Sequence, residues 1–157
     1  MSNDPTDHPP GTAHHNDRGL RLRMASEARR VHSQHTQLSA LLEDLRGVFD
    51  TGTVQMIRGA FEHFADAFDA HMRVEETLYF PALHGLLPEV DPDLTALTDE
   101  HRELRERLDA IRTKLAAHET DEARSTLEAL AEQSAKHEAI EETLIERVRA
   151  DTNGSGH

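Results

Sequence analysis

Cysteine and tryptophan are absent from this 157-residue chain, and tyrosine occurs once. The lack of cysteine excludes a disulfide framework, a thiolate nucleophile, a zinc ribbon and a cysteine-held iron–sulfur cluster. Long apolar runs are missing too: nothing approaches the roughly 18 residues that span a bilayer, so no membrane partner is expected. Basic residues are scarce, 17 Lys and Arg against 30 Asp and Glu, for a formal charge of −13. That balance argues against nucleic acid as a partner, because affinity for phosphates is built on clustered basic side chains. Residues Met1–Gly19 are polar, carry Pro5, Pro9 and Pro10, and hold no apolar stretch of the kind a secretory signal needs, so the expected setting is the cytoplasm. Period-two alternation of β-branched residues is also lacking. One residue type is abundant instead, with 12 histidines.

Apolar residues recur at helical spacing in four segments. The first covers about Leu22 to Phe49, with Val31, Leu38, Leu42, Leu45 and Phe49 on one stripe, and Asp50-Thr51-Gly52-Thr53 breaks it. The second runs from about Val54 to Leu83 through Ile57, Phe61, Phe64, Phe68, Leu78 and Ala82, with Pro81 expected to bend or end its last turn. Asp91-Pro92 reads as a cap followed by proline at the first helical position of a third helix, to about Ala117. The turn His118–Asp121 leads to a fourth, to about Ala150, striped by Leu127, Leu130, Ile140, Leu144 and Val148. The expected fold is all-α: an antiparallel up-down-up-down four-helix bundle over residues 20–150, with a disordered polar tail at 1–19 and a flexible one at 151–157.

The histidines are in register. His71-x-x-x-Glu75-Glu76-Thr77-Leu78 recurs as His137-x-x-x-Glu141-Glu142-Thr143-Leu144 at an offset of 66 residues, and the same offset carries His35 onto His101. The chain therefore reads as two related helical hairpins, each with a lone His and an HxxxE pair. Residues equidistant from a hairpin turn lie at one depth: His35 and His71 are centred on residue 53, and His101 and His137 on residue 119. All four fall in one layer, on the apolar stripes, with Glu75 and Glu141 a turn along the same helix faces. His32 is the rival to His35 for the ligand position, but it has no His at the repeat offset, where Thr98 stands, so His35 is preferred; His63, His84 and His118 have no registered mates and read as surface or boundary residues.

Six polar groups gathered in an apolar core are costly unless something binds them. Imidazole and carboxylate are ligands for a cation. Four nitrogens and two carboxylates exceed one tetrahedral zinc, and calcium or magnesium would take an all-oxygen shell. The set fits a dinuclear iron centre, with manganese the lesser candidate: two imidazoles per ion, two shared carboxylates and an oxo or hydroxo bridge. Such a centre leaves an open position for a small ligand.

The ordered set His35, His71-x-x-x-Glu75, His101 and His137-x-x-x-Glu141, with the Glu-Glu doublets and Pro81, resembles the hemerythrin family, specifically its HHE cation-binding domains. The resemblance spans about Arg21 to Ala150 and implies a four-helix bundle with two iron ions that handles O2, NO or H2O2. Two positions depart from the oxygen carriers of that family. Arg105 stands where they have a further His, and Glu141 follows its His by four residues where they have an Asp at five. The chain is more similar to the subgroup with four His and two Glu, for which the resemblance implies catalase-like peroxide decomposition, with reversible binding, sensing or iron holding as the alternative. Tyr79, one turn past Glu75, is a candidate ligand or neighbouring phenol or a packing residue. Arg105, one turn past His101, is a candidate peroxide-stabilising cation or an ion-paired residue.

Overall fold

The computed structural model describes residues 12–154, with side chains from 18 to 151. Helix α1 (Thr12–Thr51) is followed by α2 (Val54–Val74), one π-helical turn (Glu75–Tyr79), α3 (Phe80–Leu86), a 3-10 turn (Pro88–Val90), α4 (Asp91–Ala116) and α5 (Thr120–Gly154). α2, the π turn and α3 run on as one rod, so the molecule is a four-helix bundle, and no strand occurs among the described residues. α1 packs chiefly on α2 and α4 on α5, giving two hairpins; α2 meets α4, and the α1/α5 seam is the loosest of the four.

Several boundaries differ from the sequence expectation. α1 begins at Thr12 rather than near Leu22, because the breakers Pro9, Pro10 and Gly11 end there and Gly19 alone costs only about 1 kcal/mol. α5 likewise continues to Gly154. Of the expected tails, 1–19 and 151–157, residues 1–11 and 155–157, with His8 and His157, lie outside the described residues. Asp91 is the first residue of α4 rather than its cap: a 3-10 turn feeds the helix directly, with Val90 fully buried at the cap position. Pro81 does not end its helix; it sits in the first turn of α3, where its missing N–H is tolerated. Leu78 and Ile140, expected on the buried stripes, are 43% and 40% exposed.

Two apolar clusters fill the bundle. One, toward the Gly52 and His118 turns, joins Leu45, Phe61, Phe64, Phe68, Leu104, Ile111 and Leu127. The other, toward the opposite end, joins Val31, Tyr79, Phe80, Leu83, Leu97 and Leu144. Burying a Leu, Ile or Phe side chain contributes about 1.5–3 kcal/mol, so these stripes, rather than helix propensity, hold the hairpins together.

The turns are tightly specified. Thr53 caps α2 by accepting a hydrogen bond from the Met56 N–H at 3.2 Å. A Cβ on Gly52 would meet the Val48 carbonyl oxygen at 2.7 Å, which explains glycine there. At the end of α4 the Glu119 N–H donates to Lys114 O at 2.9 Å and the His118 N–H to Leu115 O at 3.1 Å, a paired closure that sets His118 at φ 60. A left-handed residue with a Cβ costs about 1–2 kcal/mol, partly offset by the greater entropy glycine loses. His118→Gly should therefore stabilise the protein by about 0.5–1 kcal/mol. Urea unfolding would show this as a higher midpoint at unchanged slope, and a lower midpoint would refute it.

Candidate metal centre

Between the two apolar clusters lies a polar layer of His35, His71, Glu75, His101, His137 and Glu141, all buried. The helices bring the imidazoles together in hairpin pairs: His35 Nε2 and His71 Nε2 are 3.0 Å apart, as are His101 Nε2 and His137 Nε2. The carboxylates stand between the pairs. Glu75 turns Oε1 to His71, in close contact, and to His35 at 4.0 Å, and turns Oε2 to His137 at 3.4 Å and His101 at 3.5 Å. Glu141 turns Oε1 to His137 at 2.8 Å and Oε2 to His35 at 3.4 Å. Each carboxylate thus offers one oxygen to each hairpin. Glu75 Oε1 and both Glu141 oxygens nevertheless lack an aligned hydrogen bond, which is costly at this depth.

The outward ring nitrogens show why the inward ones are free to bind a cation. His71 Nδ1 donates to Gln34 Oε1, His101 Nδ1 to Glu76 Oε1 and His137 Nδ1 to Glu100 Oε2, each at 2.8 Å. An oxygen acceptor at Nδ1 places the proton there and leaves the Nε2 lone pair facing inward. The support is unequal: the His101/His137 pair rests on two carboxylates, the His35/His71 pair on one neutral amide. Gln34 and Glu100 are related by the 66-residue offset and each precedes a ligand-type His, a signal present in the sequence that periodicity alone does not reveal.

The π turn explains Tyr79. The Phe80 N–H reaches back five residues to Glu75 O, which inserts one residue into the helical register ahead of Pro81. In α5, which has no such turn, Leu144 follows Glu141 into the core. Its counterpart Leu78 is turned outward, and Tyr79 takes the inward place, fully buried with its hydroxyl unpartnered. Arg105 instead donates from Nε to Asp69 at 2.9 Å and from Nη1 to Glu76 at 2.8 Å, so it stands on the outer, Nδ1 side of His101. Phe80 stacks on the His101 ring, 5.5 Å between centroids. His32, His63, His84 and His118 are exposed, and His84 pairs with Asp91 at 2.7 Å.

The electrostatics of the layer favour positive charge within it. Burial opposes ionisation of Glu75, but contacts from Glu141, His101, His137 and His71 outweigh it and hold its carboxyl below the usual range. Burial, with the neighbouring Glu75, pushes Glu141 up. Burial also opposes the charge of His137, yet the contacts with Glu141 and Glu75 raise it to about 10. Burial and the same carboxylates push the Tyr79 phenol up.

Two groups within the layer meet the spacing a metal ion requires: Glu75 with His101, His137 and Glu141, and His35 with His71 and Glu75. The orphaned carboxylate oxygens and the converging Nε2 atoms fit such ions, and the mixed N/O donor set is of the kind that suits iron. Residues 27–148 match the family described as Hemerythrin HHE cation binding domain. The chain belongs to this family, and its four-His, two-Glu cluster is of the type typical of hemerythrin diiron sites. No curated protein and no solved structure matches the chain.

Two outcomes follow from this geometry. Replacing the carboxylate behind one ligand weakens metal binding about 10–100-fold. Glu100→Gln should therefore weaken iron binding at the His101/His137 position by about that factor, and a two-step iron titration of wild type should collapse toward one step. Titration curves of wild type and variant that coincide would count against it. The second outcome concerns pH. The folded pKa of His137, about 10, lies above its ordinary 6.5. The stability it contributes to metal-free protein is complete below pH 6.5 and is lost as pH rises through about 10. Ligation requires neutral imidazole, so the loaded form lacks this loss. The gap in melting temperature between loaded and chelated protein should widen over that range, and a constant gap would contradict it.

Proposed function

We propose that this chain is a diiron protein that reversibly takes up a small diatomic ligand, O2 or NO. The observation that carries the reading is the layer itself, six buried donors in which each carboxylate faces both histidine pairs. When bound, two iron ions supply open coordination positions and one-electron chemistry. The chain's own residues do the rest. His35, His71, His101 and His137 present their inner nitrogens, Glu75 and Glu141 span the pairs, and Gln34, Glu76 and Glu100 hold the rings in orientation. The phenylalanines Phe64 and Phe68 below the layer and Phe80 against His101 restrict water. Arg105 is held by Asp69 and Glu76, which takes away the cation that a peroxide-stabilising role would need. A cytoplasmic setting belongs to this reading.

A second reading, peroxide decomposition, is favoured by one observation. The Tyr79 hydroxyl is a buried protic group without a hydrogen-bond partner, close enough to Glu75 and Glu141 to feel their charge. Held protonated by that environment, it can give a hydrogen bond to a ligand at the layer.

Iron-loaded, reduced protein should show a spectral change on adding NO that is reversed by purging with inert gas. It should evolve little more O2 from peroxide than the His35→Ala variant. Strong O2 evolution that falls in Tyr79→Phe would favour the second reading instead, and the absence of any response to NO, O2 or peroxide would reduce the protein to one that holds iron.

A further inference from the structure

The 66-residue repeat relates not only the two hairpins but also the two seams between them. α1 corresponds to α4 and α2 to α5, so the α2/α4 seam and the α5/α1 seam are equivalent places. One ion pair survives in both: Arg112 binds Glu62 at 2.6 Å across α4 and α2, and Arg46 binds Glu128 at 2.9 Å across α1 and α5. Two turns nearer the metal layer the equivalence fails. In the α2/α4 seam Arg105 lies across the gap and pairs with Asp69. Their counterparts in the other seam are Ser39 and Ala135, which cannot span it. The buried Phe68 and Met72 of the closed seam correspond to Ser134 and Glu138 in the open one.

A cavity of about 470 Å³ occupies the place these small residues leave, and all four line it. Its floor is apolar, formed by Leu38, Leu42, Phe64 and Phe68, of which Leu38 and Phe68 adjoin the histidine layer one turn from His35 and His71. Glu138 in its wall is close enough to feel the charge of His35, His71 and His137. His35 is also the most exposed of the four imidazoles, at 8%, against 0% for His101 behind Phe80.

We propose that the cavity in the α1/α5 seam is the passage and holding pocket through which a small neutral ligand reaches the metal layer on its His35 side, and that Ser39 and Ala135 keep it open. This rests on the small-ligand reading above. The apolar floor favours uncharged gases, and the wall, where Glu128, Glu132 and Glu138 stand against the single cation Arg46, itself paired with Glu128, disfavours anions. His101, fully buried behind Phe80, is then the enclosed side of the centre, reached last.

The test transfers the closed seam's arrangement to the open one, using the double variant Ser39→Arg with Ala135→Asp, and separately Ser134→Phe. Association of NO with reduced, iron-loaded protein should slow on the order of tenfold in both, since binding must then wait for the seam to open. Iron content should stay at the wild-type level. In chelated protein, xenon should shift its NMR signal with wild type and not with either variant, a readout independent of iron. Equal NO rates in wild type and both variants, or equal xenon shifts, would overturn the passage while leaving NO binding intact. If wild type takes up no NO, the proposed function fails, and the xenon comparison still decides whether the cavity is open to gases.

Discussion

Six polar groups held in the middle of a hydrophobic bundle are the constraint on which the rest of this structure depends. They divide the core into two apolar clusters and stand between them as a slab. Two carboxylates and four imidazoles at that depth are tolerable only when a positive charge lies among them, whether proton or metal ion. Because Glu75 and Glu141 each face both histidine pairs, that charge also ties one hairpin to the other. The bundle is closed at its centre by electrostatics and at its two ends by leucine and phenylalanine.

The internal repeat builds this centre twice and then departs from itself. Gln34 and Glu100 occupy equivalent positions and perform the same hydrogen bond with different charge. Glu76 supports His101, whereas its counterpart Glu142 is exposed. Arg105 closes one seam, and Ser39 leaves its equivalent open. The departures concur on two rings: His101, in the anionically supported hairpin and behind Phe80, is fully enclosed, and His35, in the neutrally supported hairpin and beside the open seam, is the most exposed of the four. A symmetric ligand set is thus placed in an asymmetric surrounding.

Much of this was legible in the residues. Apolar spacing marks the four helices because burial of one face is what stabilises them, and the repeat marks the layer because two independent copies of a spacing rarely agree by accident. What escaped reading depends on geometry between helices. Gln34 and Glu100 act on histidines of the neighbouring helix, a reach that no period within one helix encodes. The cavity arises from small residues on α1 and α5 whose facing is visible only once the seam is assembled. The exposure of Leu78 follows from a single added residue of register, and the helix ends move with the exact place where breakers stop.

The π turn carries a consequence of its own. It changes which side chain faces the centre by altering length, not by substitution: with one residue more between Glu75 and the following stripe, a phenol enters where the sister helix places an aliphatic chain. Straightening that turn into regular α-helix with the sequence unchanged would return the leucine to the centre and turn the phenol aside. The identity of the group above the carboxylates is therefore a matter of counting, and the winding of a single turn exchanges the chemistry offered there with every side chain still in its place in the sequence.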